Sequence, residues 1–244
     1  MTVMPVDPQD KQRVIQLNFC GERCELWADG ALYLPSHNTL VVSDLHFEKG
    51  HAQSTAAPLP RYDTDMTLSR LSEIVDKSNP QRCIFLGDSF HNAEVAKHLP
   101  EAYRQILNDL SKGRNFVWIE GNHDSKLPTF LPGEVCSDFA LNSLYFTHQV
   151  TAETEQRSGL ISGHYHPKAR VNLKLRRISA PCFIEDSRHL IMPAFGTFTG
   201  GLNVLNKAIQ SVLTSPQSAY ICHAGKIYHL PVTKQFFLKN RTFG

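Results

Sequence analysis

Thr39-Leu-Val-Val-Ser-Asp-Leu-His46 is the stretch that decides how this chain is read. Its first five residues form a short, partly β-branched apolar run after Pro35, the pattern of a buried strand. The run ends by delivering Asp44 and His46. The same event recurs downstream. Cys83-Ile-Phe-Leu86 runs into Gly87-Asp88, and Phe116-Val-Trp-Ile119 into Gly121-Asn-His-Asp124. Ser143-Leu-Tyr-Phe146 runs into Thr147-His148, and Leu160-Ile161 into Gly163-His-Tyr-His166. Ligands of open α/β sheets bind at the C-terminal edge of the strands. Five strands that end in ionisable or amide groups therefore predict one shared site.

Outward from these strands, residues 1–12 read as a loose arm and Val14–Phe19 as a strand. Asp29-Gly30 between the apolar runs of Glu25–Leu34 predicts a hairpin. Residues 47–62, with Gly50, Pro58 and Pro60, read as a loop. Leu68, Leu71, Ile74 and Val75 share one helical face, with Asp63 as the expected cap and Asn79-Pro80 as the stop. Tyr103, Ile106, Leu107 and Leu110 predict a second helix, closed by Gly113. Another hairpin is expected to turn at Ala224-Gly225. Strand–helix units followed by a strand-rich half predict an α/β layered fold with more than one sheet. With no repeat, low-complexity tract or linker, residues 1–244 read as a single domain.

Composition sets bounds on function. A formal charge of +2 gives no general pull toward nucleic acid, so any such pull must come from a local patch. The chain shows no secretion-type apolar core near Met1 and no apolar run long enough to span a membrane. Six scattered cysteines read as reduced structural thiols, which predicts a cytoplasmic protein without a membrane partner. The twelve histidines invite a search for metal ligands.

The strand-end groups supply that search. Two carboxylates, an amide oxygen and several imidazoles form a sulfur-free set suited to manganese, iron or zinc. Asp44 and His46 are two apart as the chain leaves a strand, so both are expected on one side of the pleat, and His164 and His166 repeat the spacing. Gly87, Gly121 and Gly163 precede candidate ligands and would permit close backbone approach.

In this order, D-x-H, G-D, G-N-H-D, a lone His and G-H-x-H resemble the calcineurin-like metallophosphoesterase superfamily. The resemblance implies two mixed β-sheets in a sandwich flanked by α-helices, holding two divalent transition-metal ions, manganese first and iron or zinc as alternatives. It implies that Asp44, His46 and His166 bind one ion, that Asn122, His148 and His164 bind the other, and that Asp88 bridges. It assigns His123 to phosphate contact and protonation of the leaving group. Thr147 departs from the family pattern, where many members have glycine before the histidine. Two divalent ions against two carboxylates leave a positive site for phosphate. A water held between the ions would be deprotonated near neutral pH and attack phosphorus in line. Two neighbouring residues stay open: His91 as ligand-orienting or substrate-touching group or plain loop residue, and Asp124 as a histidine's partner or a turn cap.

Longer segments, Asp44–Gly50, Gly87–His91, Val117–Asp124 and Pro193–Gly201, resemble the bacterial ligase-associated DNA damage response endonuclease family. That resemblance implies DNA as substrate and functional association with a DNA ligase and a helicase. Within Lys168-Ala-Arg-Val-Asn-Leu-Lys-Leu-Arg176, the alternation read as one strand puts Lys168, Arg170, Lys174 and Arg176 on one face, starting beside His166. Such a face is either a rail for a nucleic-acid backbone or the charged guard of an edge strand. Phe195–Gly201 is either a loop at the site mouth or a turn. Two other functions compete with DNA cleavage: hydrolysis of nucleotides or other small phosphoesters, and a non-catalytic partner-binding scaffold.

Overall fold

A computed structural model describes residues 13–49, 62–173, 176–233 and 237, without the side chains of 172, 173 and 176. Two mixed β-sheets face each other. The first has seven strands in chain order: β1 (Val14–Phe19), β2 (Glu22–Trp27), β3 (Leu32–Leu34), β4 (Thr39–Ser43), β5 (Arg82–Leu86), β6 (Asn115–Ile119) and β7 (Glu134–Cys136). β1 to β4 are antiparallel and β4 to β7 parallel. The parallel crossovers carry α1 (Tyr62–Ser78), α2 (Ala93–Lys97) and α3 (Glu101–Ser111).

The second sheet holds β8 (Asp138–Leu141), β9 (Leu144–Thr147), β10 (Leu160–Ser162), β11 (Lys168–Leu173), β12 (Arg176–Glu185), β13 (His189–Ile191), β14 (Ser218–His223) and β15 (Lys226–Pro231). Its order is β15-β14-β12-β13-β10-β9-β8, with β11 paired to β12 off this path. A short helix, α4 (Lys207–Gln210), follows β13.

Side-chain alternation explains the layering. Leu40, Val42, Phe85, Phe116 and Trp118 face α1 and α3, packing on Leu68, Leu71, Val75 and Leu107. Between them, Val41, Ile84, Leu86, Val117 and Ile119 face the second sheet and meet Phe146, Ile161, Phe183 and Met192. Successive residues of a strand buried on both faces divide this way, which is why β4 to β6 read as continuous apolar runs. The outer face of the second sheet packs Ile184, Ile191 and Ile221 against Val204, Ile209 and Leu213.

Both expected hairpins form, with Gly30 at φ +84° and the Ala224-Gly225 turn joining the His223↔Lys226 pair. Asp63 is not the cap of α1 but lies within its first turn, where a carboxylate still complements the helix dipole. The basic segment departs further from the expected form. Leu173 pairs with Arg176, so the chain reverses between them and the single strand expected over 168–176 is two. The predicted four-cation face does not form on one strand, and Lys174 lies outside the described residues. The expected arm of residues 1–12 and most of the loop expected over 47–62 also lie outside them. Among the described residues, no helix is long and apolar enough to cross a membrane.

Candidate metal centre

The parallel pairing of β4, β5 and β6 brings their C-terminal ends together, and the chain keeps them together beyond the strands. Asp44 N donates to Gly87 O at 3.2 Å and His46 N to Asp88 O at 2.9 Å. From the other side, Phe195 N donates to Ser43 O at 2.7 Å, and Gly163 N donates to His148 O at 3.1 Å. The two sheets thus deliver their loops to one place. The expected pleat does not aim the candidate ligands, however. Asp44, His46, Asp88, His164 and His166 all take left-handed backbone, with φ of 53°, 47°, 44°, 69° and 45°. Non-glycine residues seldom adopt that region, and such strain concentrates at functional sites.

The carboxylates are almost fully buried, and the donor atoms converge as two groups. In the first, His166 Nε2 lies 3.0 Å from Asp44 Oδ1 and 3.2 Å from His46 Nε2. In the second, Asn122 Oδ1 lies 3.0 Å from His148 Nε2 and 2.8 Å from His164 Nδ1. Asp88 Oδ2 sits between the groups, 3.3 Å from His148 Nε2 and 4.0 Å from His46 Nε2. Ligands at right angles around an ion with bonds near 2.1 Å stand about 3.0 Å apart, so these spacings fit cations. Asp44, His46 and His166 form one candidate metal-binding group, and Asp88, His148 and His164 another.

Surrounding contacts orient the donors. His148 Nδ1 faces Leu86 O at 3.2 Å; as the donor there, it leaves Nε2 bare toward the second group. Ser43 Oγ donates to Asp44 Oδ2 at 2.5 Å, and His164 N donates to the same carboxylate at 3.2 Å. Thr147 is accommodated as the last residue of β9, with His148 in place. All three glycines fit as expected for close approach, Gly163 with a Cβ position 2.0 Å from Ser43 Oγ. A Cβ on Gly121 would lie 2.1 Å from Asp88 Oδ1, and one on Gly87, at φ +73°, would lie 2.2 Å from the His148 ring.

The charges are strongly coupled. Burial alone would raise the Asp44 carboxyl, but the imidazoles of His166, His148 and His46 hold it well below the usual carboxylate range. Asp88 is likewise lowered, burial being outweighed chiefly by His148. Burial opposes protonation of His148, yet the bond to Asp88 and the charges of Asp44 and Asp88 lift it to about 9. Burial drives His46 down to about 4. Without a cation, the site thus keeps one proton on a group that would have to lose it to bind metal.

His123 is exposed at the mouth of this site, its ring 5.4 Å from that of His46. Its Nδ1 lies 2.9 Å from His91 O, which can only accept, so Nδ1 carries hydrogen and Nε2 is the nitrogen free to exchange a proton. His91 therefore orients His123 through its backbone carbonyl, and its ring stands 5.8 Å from the His123 ring. Asp124 is a turn-holding residue and not a histidine's partner: its two oxygens accept from Gly121 N at 2.9 Å and Phe90 N at 3.0 Å. Burial pushes its carboxyl up to about 6.

Lys168 and Arg170 lie on β11 close after His166, Lys168 half-buried and Arg170 exposed; Arg176 opens β12. Sequence reasoning missed Ser43, whose hydroxyl carries no signal beside an apolar strand. It also missed Lys49, whose charge is felt at His46, His91 and Lys168.

The calcineurin-like phosphoesterase family profile matches residues 37–171, and the chain belongs to that family. It is a metal-dependent phosphoester hydrolase, which sets aside the scaffold reading. The structure is similar to that of the Pseudomonas putida nuclease MPE, with a TM-score of 0.67 and 27% identity over 89% of this chain and 100% of that one. YfcE, a phosphoesterase from E. coli, superposes more loosely, with a TM-score of 0.41 and 15% identity over 80% of this chain and 99% of that one. No curated protein sequence matches the chain.

Proposed function

We propose that the chain is a nuclease that hydrolyses phosphodiester bonds of DNA at a two-metal centre. The observation that carries this reading is the likeness to a nuclease over that protein's whole length at 27% identity. In the proposed site Asp44, His46 and His166 hold one ion, Asn122, His148 and His164 hold the other, and Asp88 lies between them. When bound, the ions, manganese by preference and iron or zinc as alternatives, would neutralise phosphoryl charge and lower the pKa of a bound water.

The chain's own groups do the rest. Asp44 and Asp88 remain ionised in a buried pocket and so attract cations. His123 Nε2 delivers a proton to the departing oxygen, because Nδ1 is committed to the His91 carbonyl. The strained ligand loops fix the donors before substrate arrives, so little reorganisation is needed. A role in DNA repair beside a ligase and a helicase is part of the proposal and rests on the sequence resemblance alone.

The test is an activity panel with manganese-loaded protein on plasmid DNA, single-stranded DNA, a chromogenic diester and a monoester. Cleavage of DNA and of the diester, with weak monoester turnover, is the expected result. Turnover confined to nucleotides or other small esters would replace this reading with the small-substrate one.

A further inference from the structure

Phe198 has 72% of its surface exposed, more than any other exposed large hydrophobic residue among the described residues. It also takes φ +56°, a conformation that a bulky side chain rarely keeps. A lone exposed apolar residue needs no explanation. Its position does.

The loop that carries Phe198 is fastened to the metal-site backbone at both ends. Gly196 N donates to Asp44 O at 3.1 Å, and a Cβ on Gly196 would lie 2.1 Å from Leu45 O. At the other end, a Cβ on Gly201 would lie 2.3 Å from His166 O. Phe195, just before the first anchor, is wholly buried, and between the anchors Thr197 Oγ1 donates to Asp63 O at 2.8 Å. Phe198 is two residues from one anchor and three from the other, so its Cα stands within about 7 Å of Gly196 and about 11 Å of Gly201. The exposed ring is therefore carried on a loop braced against the backbone of the first metal group.

Cations adjoin it. Lys168 Nζ donates to Thr199 O at 3.0 Å, and Lys168, Thr199, Arg70 and Phe198 line one cleft of about 280 Å³. The β11–β12 register continues the charge. Lys168 pairs with Pro181, Arg170 with Ser179 and Asn172 with Arg177, so Lys168, Arg170 and Arg177 share one face of the hairpin. Arg170 and Arg177 are exposed. Arg176, opposite Leu173, occupies the alternate register with Ala169 and Val171.

We propose that Phe198 is a base-stacking residue that receives a nucleobase from a single-stranded stretch of the substrate, with the adjoining phosphates running along Lys168, Arg170 and Arg177. The proposal rests on the nucleic-acid reading above. An aromatic ring beside a cationic track is the pairing that single-strand binding uses, since every base has a π-face and every linkage a charge.

The test uses manganese-loaded protein and a fluorescein-labelled single-stranded oligonucleotide with phosphorothioate linkages, which resist cleavage. Binding is followed by anisotropy, against the same strand with an abasic tract. Phe198→Ala should weaken binding of the base-containing strand about 5- to 100-fold and leave the abasic strand nearly unaffected. Phe198→Trp should restore binding. Quenching of 2-aminopurine placed in the strand should be lost in Phe198→Ala. Equal weakening on both strands, or none, overturns stacking while the nuclease reading stands. Wild-type protein that hydrolyses a chromogenic diester yet neither binds nor cleaves oligonucleotides overturns the nucleic-acid reading and this proposal with it.

Discussion

The backbone N–H of His123 donates to Asp88 Oδ1 at 2.9 Å, so the proposed proton donor and the proposed bridging carboxylate are held by one bond. The bond uses the peptide and not the imidazole, which allows the two roles to be separated by mutation.

His123→Ala keeps that peptide N–H and should keep metal content at the wild-type level. Turnover should fall on the order of 10²- to 10⁴-fold, the usual contribution of a positioned general acid. The loss should be much smaller for a nitrophenyl ester, whose leaving group needs little protonation. Equal losses on esters with good and poor leaving groups would assign His123 another role.

Asp124→Ala should loosen the site from behind. The carboxylate is fully buried and accepts from Gly121 N and Phe90 N, tying the loop after β6 to the loop after β5. Each buried donor left without a partner costs about 1–3 kcal/mol. Two such losses should lower Tm by roughly 4–24 °C in a chain of this size. Calorimetry of the variant, read with its metal content, checks this; an unchanged Tm would mean that water replaces the carboxylate without cost.

Much of this was legible in the sequence because the candidate ligands follow their strands directly. Apolar runs of four or five residues identified β4, β5 and β6, and the polar groups just beyond Ser43, Leu86 and Ile119 marked the converging edge. What lies across space was not legible. Asp124 bonds to Phe90, 34 positions away, and the left-handed backbone at Asp44 and His46 has no glycine to announce it. The β11–β12 reversal also escaped, since Lys174-Leu175 carries none of the glycine, asparagine or aspartate that favours a tight hairpin. The alternation Lys-Ala-Arg-Val-Asn-Leu-Lys-Leu-Arg therefore reads as one strand, which assigns Arg176 to a face that Arg177 occupies.

That reassignment changes the charge experiment. Lys168, Arg170 and Arg177 together replaced by glutamine should reduce the salt dependence of oligonucleotide binding by up to about 2 units of log–log slope, near 0.7 per phosphate contact on single strands. Arg176→Gln alone should leave the slope nearly unchanged. Among the described residues β11 forms a ladder with β12 and otherwise only isolated bridges, Lys168 with Asn203 and Val171 with Phe237, so the edge-guarding alternative keeps its force. It predicts an unaltered slope and a triple variant that scatters light through self-association.

The most direct measurement is the metal content of manganese-reconstituted protein and of Asp88→Asn, taken by elemental analysis after exhaustive dialysis. Asp88 Oδ2 stands between His46 Nε2 and His148 Nε2, and its charge is shared by both groups. Wild type should hold two ions per chain, and the amide, which keeps the shape but not the charge, should lower occupancy at both sites together. One ion per chain in wild type, or two in Asp88→Asn, would contradict the dinuclear account.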